Sequence, residues 1–327
     1  MLVVNEKQIM QSYGMKEAIQ DIREVLVAKT ANKIANPHRT VIDFPTHEAS
    51  ALYMPSADLV GEVSAVKVVT IFPHNPANGK ATTQGVVLLS DGANGDHLAM
   101  LNASYLTRLR TGALSGIATD YLAKKDANVL TVIGTGAMAF EQVLGVLAVR
   151  SIERILLVNR NPEKANAFGE KLRAFGVTIA YEVMEDVAAA VCQADIINCA
   201  TRSNDPVFNG EDLKPGTHVN GVGSYLPHMH EVDITTITRA SKIVVDDFAG
   251  VKDEAGELMY AEELGKWSFD DVHGELGKLV IGAIKGRENE EEITFFKCVG
   301  AAYFDLAVAK GVYAKAKQQQ IGTEIDV

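Results

Sequence analysis

The stretch "NVLTVIGTGAMAFEQVLGVLAV" at residues 128–149 constrains the fold more than any other part of the sequence. A short β-branched run ends at Gly134, and apolar residues with helical spacing follow it. This order of strand, glycine turn and helix is typical of a dinucleotide-binding loop. Gly134 and Gly136 would let the backbone approach a pyrophosphate, and the amides of Ala137 and Met138 at the helix start would hold its charge. An ordinary strand–helix turn is the alternative.

The end of the next strand, "LLVNRNPEK", indicates which dinucleotide is bound. A site for NAD usually carries an acidic residue here, which accepts a hydrogen bond from the ribose 2′-hydroxyl. Asn159 and Arg160 stand here instead, and Lys164 follows one helical turn later. Since Arg160 can pair with a 2′-phosphate, we expect a preference for NADP(H), with NAD(H) as the second cofactor. The alternative for Arg160 is a solvated arginine at a helix start.

A polar segment, "CATRSNDPVF", follows a later strand of the same series. Thr201 and Ser203 are therefore predicted at the carboxyl end of the sheet, where folds of this type bind their ligands. Helix capping or turn formation explains these residues equally well. Both are candidate cofactor-binding residues.

The pattern of segments divides the chain into two domains. From residue 123 to residue 299, β-like and helical segments alternate, which predicts a Rossmann-type doubly wound parallel sheet in an α/β protein. Residues 1–122 instead hold two helical segments, short β-like runs cut by Pro, Gly and Asn, and a further helix, which predicts an α+β domain on an antiparallel or mixed sheet. In segment 300–327 we expect an Ala-rich helix with no strand after it, which packs back on the first domain.

Composition argues against several other classes of protein. The formal net charge is −11, which is unfavourable for binding nucleic acid. No long uncharged apolar run is present, so we expect no membrane span. Cys192, Cys199 and Cys298 are scattered without CxxC spacing, which predicts reduced thiols and no metal site. Since no signal peptide is visible either, we expect a cytoplasmic protein.

Two cationic positions in the first half are candidate site residues. Arg110, which Thr111 follows, lies in the helix ahead of the nucleotide-binding domain and is predicted to face the cleft between the domains. Lys67 lies within the apolar strand "VSAVKVVTIF", so its side chain must reach solvent or a polar pocket. A lysine at the edge of the sheet is the alternative for Lys67.

Seven motifs span nearly the whole chain in order: "VKVVTIFPHNP", "GKATTQGVVLLSD", "NGDHLAMLNASYLTRLRTGALSGIATDYLA", "VIGTGAMA", "NRNPEKA", "HGELGKLVIGAIKGR" and "TFFKCVGAAYFDLAVA". Together they resemble the ornithine cyclodeaminase/mu-crystallin family. The "LTxxRTxA" helix ahead of a dinucleotide loop is specific to that family. The resemblance implies a homodimer in which residues 1–122 and the C-terminal helix form the substrate-binding and dimerisation half.

The resemblance also implies a small amino or imino acid substrate and chemistry at a C=N bond next to a carboxylate. In relatives three cations grip that carboxylate, and the matching positions here are Arg39, Lys67 and Arg110. Thr82 matches a threonine that lines the cofactor and substrate cleft. A carboxylate in a low-dielectric cleft needs cations, and a bidentate arginine fixes its orientation for hydride transfer to the adjacent carbon.

One turn departs from the cyclodeaminase pattern. Those members carry a "G-x-D-x-P" turn and a lysine two residues after the proline, whereas this chain reads "GVGSYLPHM", with Tyr225 and Met229 at the acid and lysine positions. Without the acid, ornithine's side-chain amine lacks the group that orients and deprotonates it. We therefore expect an NAD(P)H-dependent reductase of a cyclic imino acid.

The first substrate expected is Δ1-pyrroline-2-carboxylate, reduced to L-proline, and Δ1-piperideine-2-carboxylate, reduced to L-pipecolate, is the second. Three alternatives stay open at this point. They are ornithine cyclodeamination, an alanine dehydrogenase-like reaction, and non-catalytic binding of a small ligand that depends on NADP.

Overall fold

The computed structural model describes residues 1–326, which form two compact units. Unit 1 consists of Met1–Arg110 and the segment that begins at Ala301, and unit 2 consists of Thr111–Gly300. Each unit contains one sheet of eight strands.

The strands, in chain order, are β1 (Leu2–Val4), β2 (Ile34–Ala35), β3 (Thr40–Phe44), β4 (Ala49–Asp58), β5 (Val63–Ile71), β6 (Thr83–Asp91), β7 (His97–Asn102), β8 (Val129–Ile133), β9 (Arg154–Val158), β10 (Ala180–Met184), β11 (Ile196–Cys199), β12 (His218–Gly221), β13 (Lys242–Val245), β14 (Gly274–Glu275), β15 (Thr294–Lys297) and β16 (Thr323–Glu324). The helices are α1 (Glu6–Ser12), α2 (Met15–Thr30), α3 (Ala103–Leu122), α4 (Ala137–Leu147), α5 (Pro162–Phe175), α6 (Val187–Gln193), α7 (Ile234–Arg239), α8 (Phe248–Glu254), α9 (Gly256–Glu263), α10 (Leu276–Val280) and α11 (Ala302–Gln319). Among the residues described, none of these helices combines the length and the hydropathy that a membrane crossing requires.

The sheet of unit 1, called sheet A, has the order β16-β1-β7-β6-β5-β4-β2, and β3 also pairs with β4. The β1–β7 pair is parallel and the other pairs are antiparallel. The prediction of an α+β arrangement on a mixed sheet is therefore confirmed. Helix α11 packs against β4, β5 and β6, and also against α2.

Sheet A has one buried face and one partly exposed face. Directly paired residues on antiparallel strands share a face. Lys67 on β5 and its partner Val87 on β6 lie on the face that α11 covers, and both are buried. Tyr53, Val68 and Val86 are partners on the opposite face, where Tyr53 and Val86 keep 38% and 39% of their surface exposed.

The sheet of unit 2, called sheet B, has the order β10-β9-β8-β11-β12-β15-β13-β14, and all of these neighbours are parallel. Alternate residues of its strands enter two separate apolar cores. On β9, Ile155 and Leu157 join the core that contains Phe140 of α4, whereas Leu156 and Val158 join the other core. The predicted doubly wound parallel sheet is thus confirmed.

The structure corrects two element boundaries in unit 2. The β-branched run "VTIAYE" predicts a strand from Val177, but β10 begins at Ala180, because the amide of Val177 still donates to the Leu172 carbonyl at 3.0 Å and completes the end of α5. The predicted helix "VMEDVAAAVCQ" begins only at Val187. Its first residues complete β10, and the side chain of Asp186 caps α6 by accepting from the amide of Ala189.

Several short strands were not expected, among them β15 and β16. β15 lies between β12 and β13 in sheet B. No helix separates β15 from α11, so the sequence pattern does not distinguish its residues from the segment that leads into α11. β16 follows α11 and pairs with β1, so the expectation that no strand follows the C-terminal helix is wrong. It is only two exposed residues long, too short for an alternating apolar pattern.

Candidate functional site

The glycine turn between β8 and α4 is held closely against the next strand ends. Gly134 has φ of +88°, which favours glycine, and its amide donates to the Val158 carbonyl at 2.9 Å. A Cβ atom at Gly134 would lie 2.6 Å from Cγ2 of Thr201. Gly136 has open space around it, and Ala139 is fully buried, as expected for a small third position. The turn therefore fits a backbone that a pyrophosphate approaches closely.

The start of α4 differs from the starts of four other helices in unit 2. Those helices begin after an Asn or Asp side chain that accepts from a backbone amide of the first turn, namely Asn161, Asp186, Asp233 and Asp247. Helix α4 begins after Gly136, which offers no such side chain. Its first amides, on Ala137 and Met138, are thus left for an external acceptor, and a helix N-terminus favours an anion.

The end of β9 carries the residues expected near the adenosine ribose. Asn159 donates from Nδ2 to Oγ1 of Thr135 at 2.7 Å, so it supports the glycine turn directly. Arg160 and Lys164 are exposed, and neither forms an ion pair within residues 1–326. These two cations are therefore available to a phosphate.

The loop after β11 contains the two hydroxyl candidates. Thr201 donates its hydroxyl to Oε1 of Glu231 at 2.8 Å, and its amide donates to the same oxygen at 2.5 Å. Ser203 accepts on Oγ from the amide of Asp205 at 3.3 Å, which is the turn-forming role. The structure gives both side chains partners inside the protein, and their contact with a cofactor stays a prediction.

A cluster of cations lies in unit 1, on the buried face of sheet A. Nζ of Lys67 is 2.6 Å from Oδ2 of Asp305, and Nε of Arg110 is 3.5 Å from Oδ1 of the same carboxylate. All three side chains are buried, with Lys67 3% and Asp305 1% exposed. Half-buried Arg39, just ahead of β3, lies close enough to act on the charge of Lys67. We call Arg39, Lys67, Arg110 and Asp305 the cationic cluster.

Burial sets the charge state of Lys67. Removal from water lowers the pKa of Lys67 from 10.5 to about 8, Asp305 opposes this shift, and the charges of Arg110 and Arg39 add to it. The alternative of a solvent-facing lysine at a sheet edge is wrong, because β5 lies between β4 and β6. Asp305 was not expected from the sequence.

The other predicted residues of the first half are placed as follows. Thr82 directly precedes β6, is half-buried, and accepts on its carbonyl from the amide of Phe72 at 2.8 Å. Thr111 follows Arg110 in α3 and is buried. Nothing about these positions tests their predicted contacts with cofactor or substrate, which stay predictions.

A second group of charges, in unit 2, was missed by the sequence analysis. Lys297, the last residue of β15, is fully buried and donates from Nζ to the Ser224 carbonyl at 2.7 Å and to Oε1 of Glu257 at 2.8 Å. Ser224 also donates its hydroxyl to Glu257 at 2.9 Å. The sequence signal that could have indicated Lys297 is a charged residue directly after the apolar pair Phe295 and Phe296.

The turn that departs from the cyclodeaminase pattern begins beside this group. Residues 221–224 are buried, Tyr225 is half-buried, Leu226 is exposed, and Met229 is buried again. Glu231, fully buried, accepts from the amides of Gly223 and Ser224 at 2.6 and 3.1 Å, in addition to Thr201. Burial raises the pKa of Glu231, and Lys297 and these hydrogen bonds oppose the shift.

Comparison with known proteins places the chain in a family. The profile of the ornithine cyclodeaminase/mu-crystallin family matches residues 1–320. A Delta(1)-pyrroline-2-carboxylate reductase of Bacillus cereus is 41% identical over 326 residues, which is 100% of both chains. The structure of Thermococcus litoralis Delta(1)-pyrroline-2-carboxylate reductase in complex with NADH and L-proline superposes with a TM-score of 0.95 at 36% identity, over 99% of this chain and 100% of that one.

An archaeal alanine dehydrogenase dimer with bound NAD is also similar, with a TM-score of 0.92 and 32% identity, over 99% of this chain and 98% of that one. The similarity thus extends over both units and is not limited to the nucleotide-binding sheet. It confirms the resemblance that the motifs indicated. The chain belongs to the ornithine cyclodeaminase/mu-crystallin family.

Proposed function

We propose that this protein reduces Δ1-pyrroline-2-carboxylate to L-proline with a nicotinamide cofactor, and Δ1-piperideine-2-carboxylate to L-pipecolate as a second substrate. The observation that carries the proposal is the convergence of buried Lys67 and Arg110 on one carboxylate, with Arg39 nearby. Burying several cations together has a high desolvation cost unless anions compensate their charge, and Asp305 supplies only one negative charge for Lys67 and Arg110. A substrate carboxylate is an anion of that kind.

The chemistry of the relatives supports an oxidoreductase. The similar proteins are reductases and dehydrogenases whose named products or substrates are imino or amino acids. An oxidoreductase that acts on the C=N or CH–NH bond of an imino or amino acid, with a nicotinamide cofactor, is therefore the enzyme class of this chain. The particular substrate and cofactor belong to the proposal.

In the proposed reaction, the residues of the cationic cluster bind and orient the imino acid. Arg110 and Lys67 hold the carboxylate, which fixes C2, the adjacent carbon, for attack. The nicotinamide, when bound, supplies the hydride that C2 accepts. The ring nitrogen enters as the protonated imine, so its electron pair is regained as the C=N double bond becomes single, and no protein acid is needed. Asp305 keeps Lys67 and Arg110 together while the substrate is absent.

The turn at Tyr225 favours reduction over cyclodeamination. Tyr225, Leu226 and Met229 offer no carboxylate that could orient and deprotonate a side-chain amine. An imine that is already cyclic needs no such group. Ornithine cyclodeamination and an alanine dehydrogenase-like reaction on pyruvate and ammonia are the competing reactions.

For the cofactor, we propose NADP(H) as the preferred dinucleotide and NAD(H) as the weaker one. Gly134, Gly136 and the uncapped amides of α4 suit a pyrophosphate in either case. The preference rests on Arg160 and Lys164, exposed cations at the end of β9. The related structures contain NADH or NAD, which supports NAD(H) as the second cofactor.

We also propose that the protein is a homodimer and that a second copy covers the exposed face of sheet A. Tyr53 and Val86 lie in register on this face, and Ile42 and Phe44 of the adjoining β3 are exposed on it. Contiguous apolar surface of this kind is uncommon on monomers. The similar archaeal alanine dehydrogenase is a dimer, which supports dimerisation. In this proposal unit 1 is the substrate-binding and dimerisation domain, and unit 2 is the dinucleotide-binding domain.

One assay tests the reaction. Oxidation of NADPH and of NADH is measured with pyrroline-2-carboxylate, piperideine-2-carboxylate, pyruvate plus ammonia, and ornithine. We expect the highest kcat/KM with pyrroline-2-carboxylate. Ammonia release from ornithine without net cofactor consumption would instead establish cyclodeamination. Intact NADPH binding with no turnover of any substrate would indicate a binding protein.

A further inference from the structure

The loop between β12 and α7 is unusual in having a charged, buried base and an exposed tip. Its base, up to Ser224, is buried, whereas its tip, from Tyr225 to His228, is partly or fully exposed. The tip is closed by a turn in which the amide of Met229 donates to the Leu226 carbonyl at 2.9 Å. We call residues 222–229 the tip loop.

Three buried side chains hold the base of the tip loop. Nζ of Lys297 donates to both the carbonyl and the hydroxyl of Ser224, and it also pairs with Glu257 at 2.8 Å. The Ser224 hydroxyl lies 2.9 and 3.1 Å from the two carboxylate oxygens of Glu257. All three residues are at most 1% exposed. We call Ser224, Glu257 and Lys297 the clasp.

The tip loop is also fixed from its other side. Gly256, the first residue of α9, contacts the backbone carbonyls of Pro227 and Met229 so closely that a Cβ atom would overlap with both. The neighbouring residue on α9 is Glu257 of the clasp. One helix start therefore holds the tip loop by backbone contact and by charge.

The tip loop lies where a sheet of this kind binds its ligand. It follows the carboxyl end of β12, and Lys297 ends β15 directly beside it, since Gly221 and Lys297 are paired. Through Glu231, its amides are joined to Thr201, which packs on Gly134 of the dinucleotide turn. A change in the conformation of the tip loop would thus alter the contacts of Thr201 and Gly134 at the carboxyl end of the sheet.

We propose that the clasp holds the tip loop in one conformation and thereby determines which imine ring the enzyme accepts. Ser224, Glu257 and Lys297 act as positioning residues for Tyr225 and Leu226 at the tip. The role in ring selection rests on the proposed imine reductase function. A buried ion pair is an expensive way to gain stability, since apolar residues of similar volume often stabilise equally well. Its value here is a fixed loop geometry.

The test uses the double variant Lys297→Met/Glu257→Leu in the full-length protein. Apolar replacement of both charges keeps the core filled and removes both members of the ion pair. The buried hydroxyl and carbonyl of Ser224 lose these partners, so we expect a modest decrease in melting temperature with the fold retained. Two quantities are then measured. They are hydrogen exchange of the peptide that spans the tip loop, and the ratio of kcat/KM for pyrroline-2-carboxylate to that for piperideine-2-carboxylate.

The matched control is Lys242→Met. Lys242 is also a buried lysine of sheet B, paired with Glu288 at 2.9 Å and Glu292 at 3.1 Å, but it begins β13, at the amino end of the parallel strands, whereas Lys297 ends β15. We expect its loss to lower the melting temperature without changing exchange in the tip loop or the ratio between the two imines. A purely structural role for buried lysines would make both variants behave alike.

In the clasp variant we expect exchange of the tip loop to be about tenfold faster, because local opening no longer breaks these contacts. The ratio for the two imines should change by about tenfold, the size of effect that one ring carbon has in a fixed pocket, while the KM for the cofactor stays the same. Unchanged exchange, or faster exchange with an unchanged ratio, overturns the proposal. If the wild type reduces neither imine, the proposed function and the role in ring selection both fail, and the exchange result alone decides whether the clasp fixes the loop.

Discussion

The Nζ atom of Lys67 lies 2.6 Å from Oδ2 of Asp305, although 238 residues separate them in the sequence. Lys67 stands in the middle of sheet A, and Asp305 stands in the first turn of α11. Their contact keeps a buried lysine charged near neutral pH, since Asp305 opposes the loss of the proton that burial promotes. The packing of α11 therefore affects the charge of Lys67.

The first prediction concerns pH. Lys67 has a pKa of about 8, so its positive charge is present below that pH and is lost as the pH rises through it. We expect kcat/KM for the imino acid to fall above about pH 8. In Asp305→Asn the lysine pKa should be lower still, and the decline should begin at lower pH. Rates from pH 6 to 10 with the same substrate test this, because the ionisation of the substrate is common to both enzymes. Identical pH midpoints would contradict it.

The second prediction concerns Arg110. Its replacement by alanine removes a buried guanidinium that orients the carboxylate, so kcat/KM should fall by about 100-fold or more through both a higher KM and a lower kcat. Arg108→Ala is the control, because Arg108 lies in the same helix and pairs with Glu6 at 2.8 Å, outside the cationic cluster. Steady-state kinetics with thermal melting would separate a loss of binding from a loss of folding. A near-normal Arg110→Ala enzyme would remove Arg110 from the site.

The third prediction separates the two cofactors. Arg160→Ala should raise the KM for NADPH by about tenfold and leave the KM for NADH nearly unchanged, since a single exposed charge pair with phosphate is lost. Arg173→Ala is the control, because Arg173 lies in the last turn of α5, the helix that follows Arg160, and pairs with Glu170 at 2.8 Å. Equal effects on both cofactors would show that Arg160 does not read the 2′-phosphate.

The fourth prediction tests the dimer. Val86→Asp places a charge in the exposed face of sheet A, which should convert a dimer to monomers in sedimentation or light-scattering measurements. The control is Val60→Asp, since Val60 is more exposed than Val86 but lies in the turn between β4 and β5. If Val86→Asp remains dimeric, or if the wild type is a monomer, the assembly proposed for sheet A is wrong.

The parts of the fold with local signals could be predicted. The alternation of strands and helices in unit 2 follows from short apolar runs that alternate with helical apolar spacing, although the start of α6 was expected ahead of its capping residue, Asp186. The dinucleotide turn could be predicted because its left-handed backbone conformation requires a glycine, and Gly134 directly follows an apolar strand. Arg110 and Lys67 could be selected because a charge in an apolar segment requires an explanation.

Residues whose role depends on a distant partner could not be found in this way. Asp305 reads as an ordinary acidic residue in the first turn of a helix, where such residues are common. Glu257 likewise stands in the first turn of α9. Only the tertiary structure brings these carboxylates to Lys67 and Lys297, and no spacing in the sequence encodes that approach.

Unit 1 is built from two separate chain segments, one before and one after unit 2 in the sequence, and this affects the order of folding. Thr111–Gly300 is contiguous and can collapse as soon as it has left the ribosome, whereas sheet A must wait for α11. Until that helix is synthesised, Lys67 and Arg110 lack the carboxylate of Asp305, and burying them is unfavourable. Unit 1 is thus completed last, by a helix that closes a loop of more than two hundred residues.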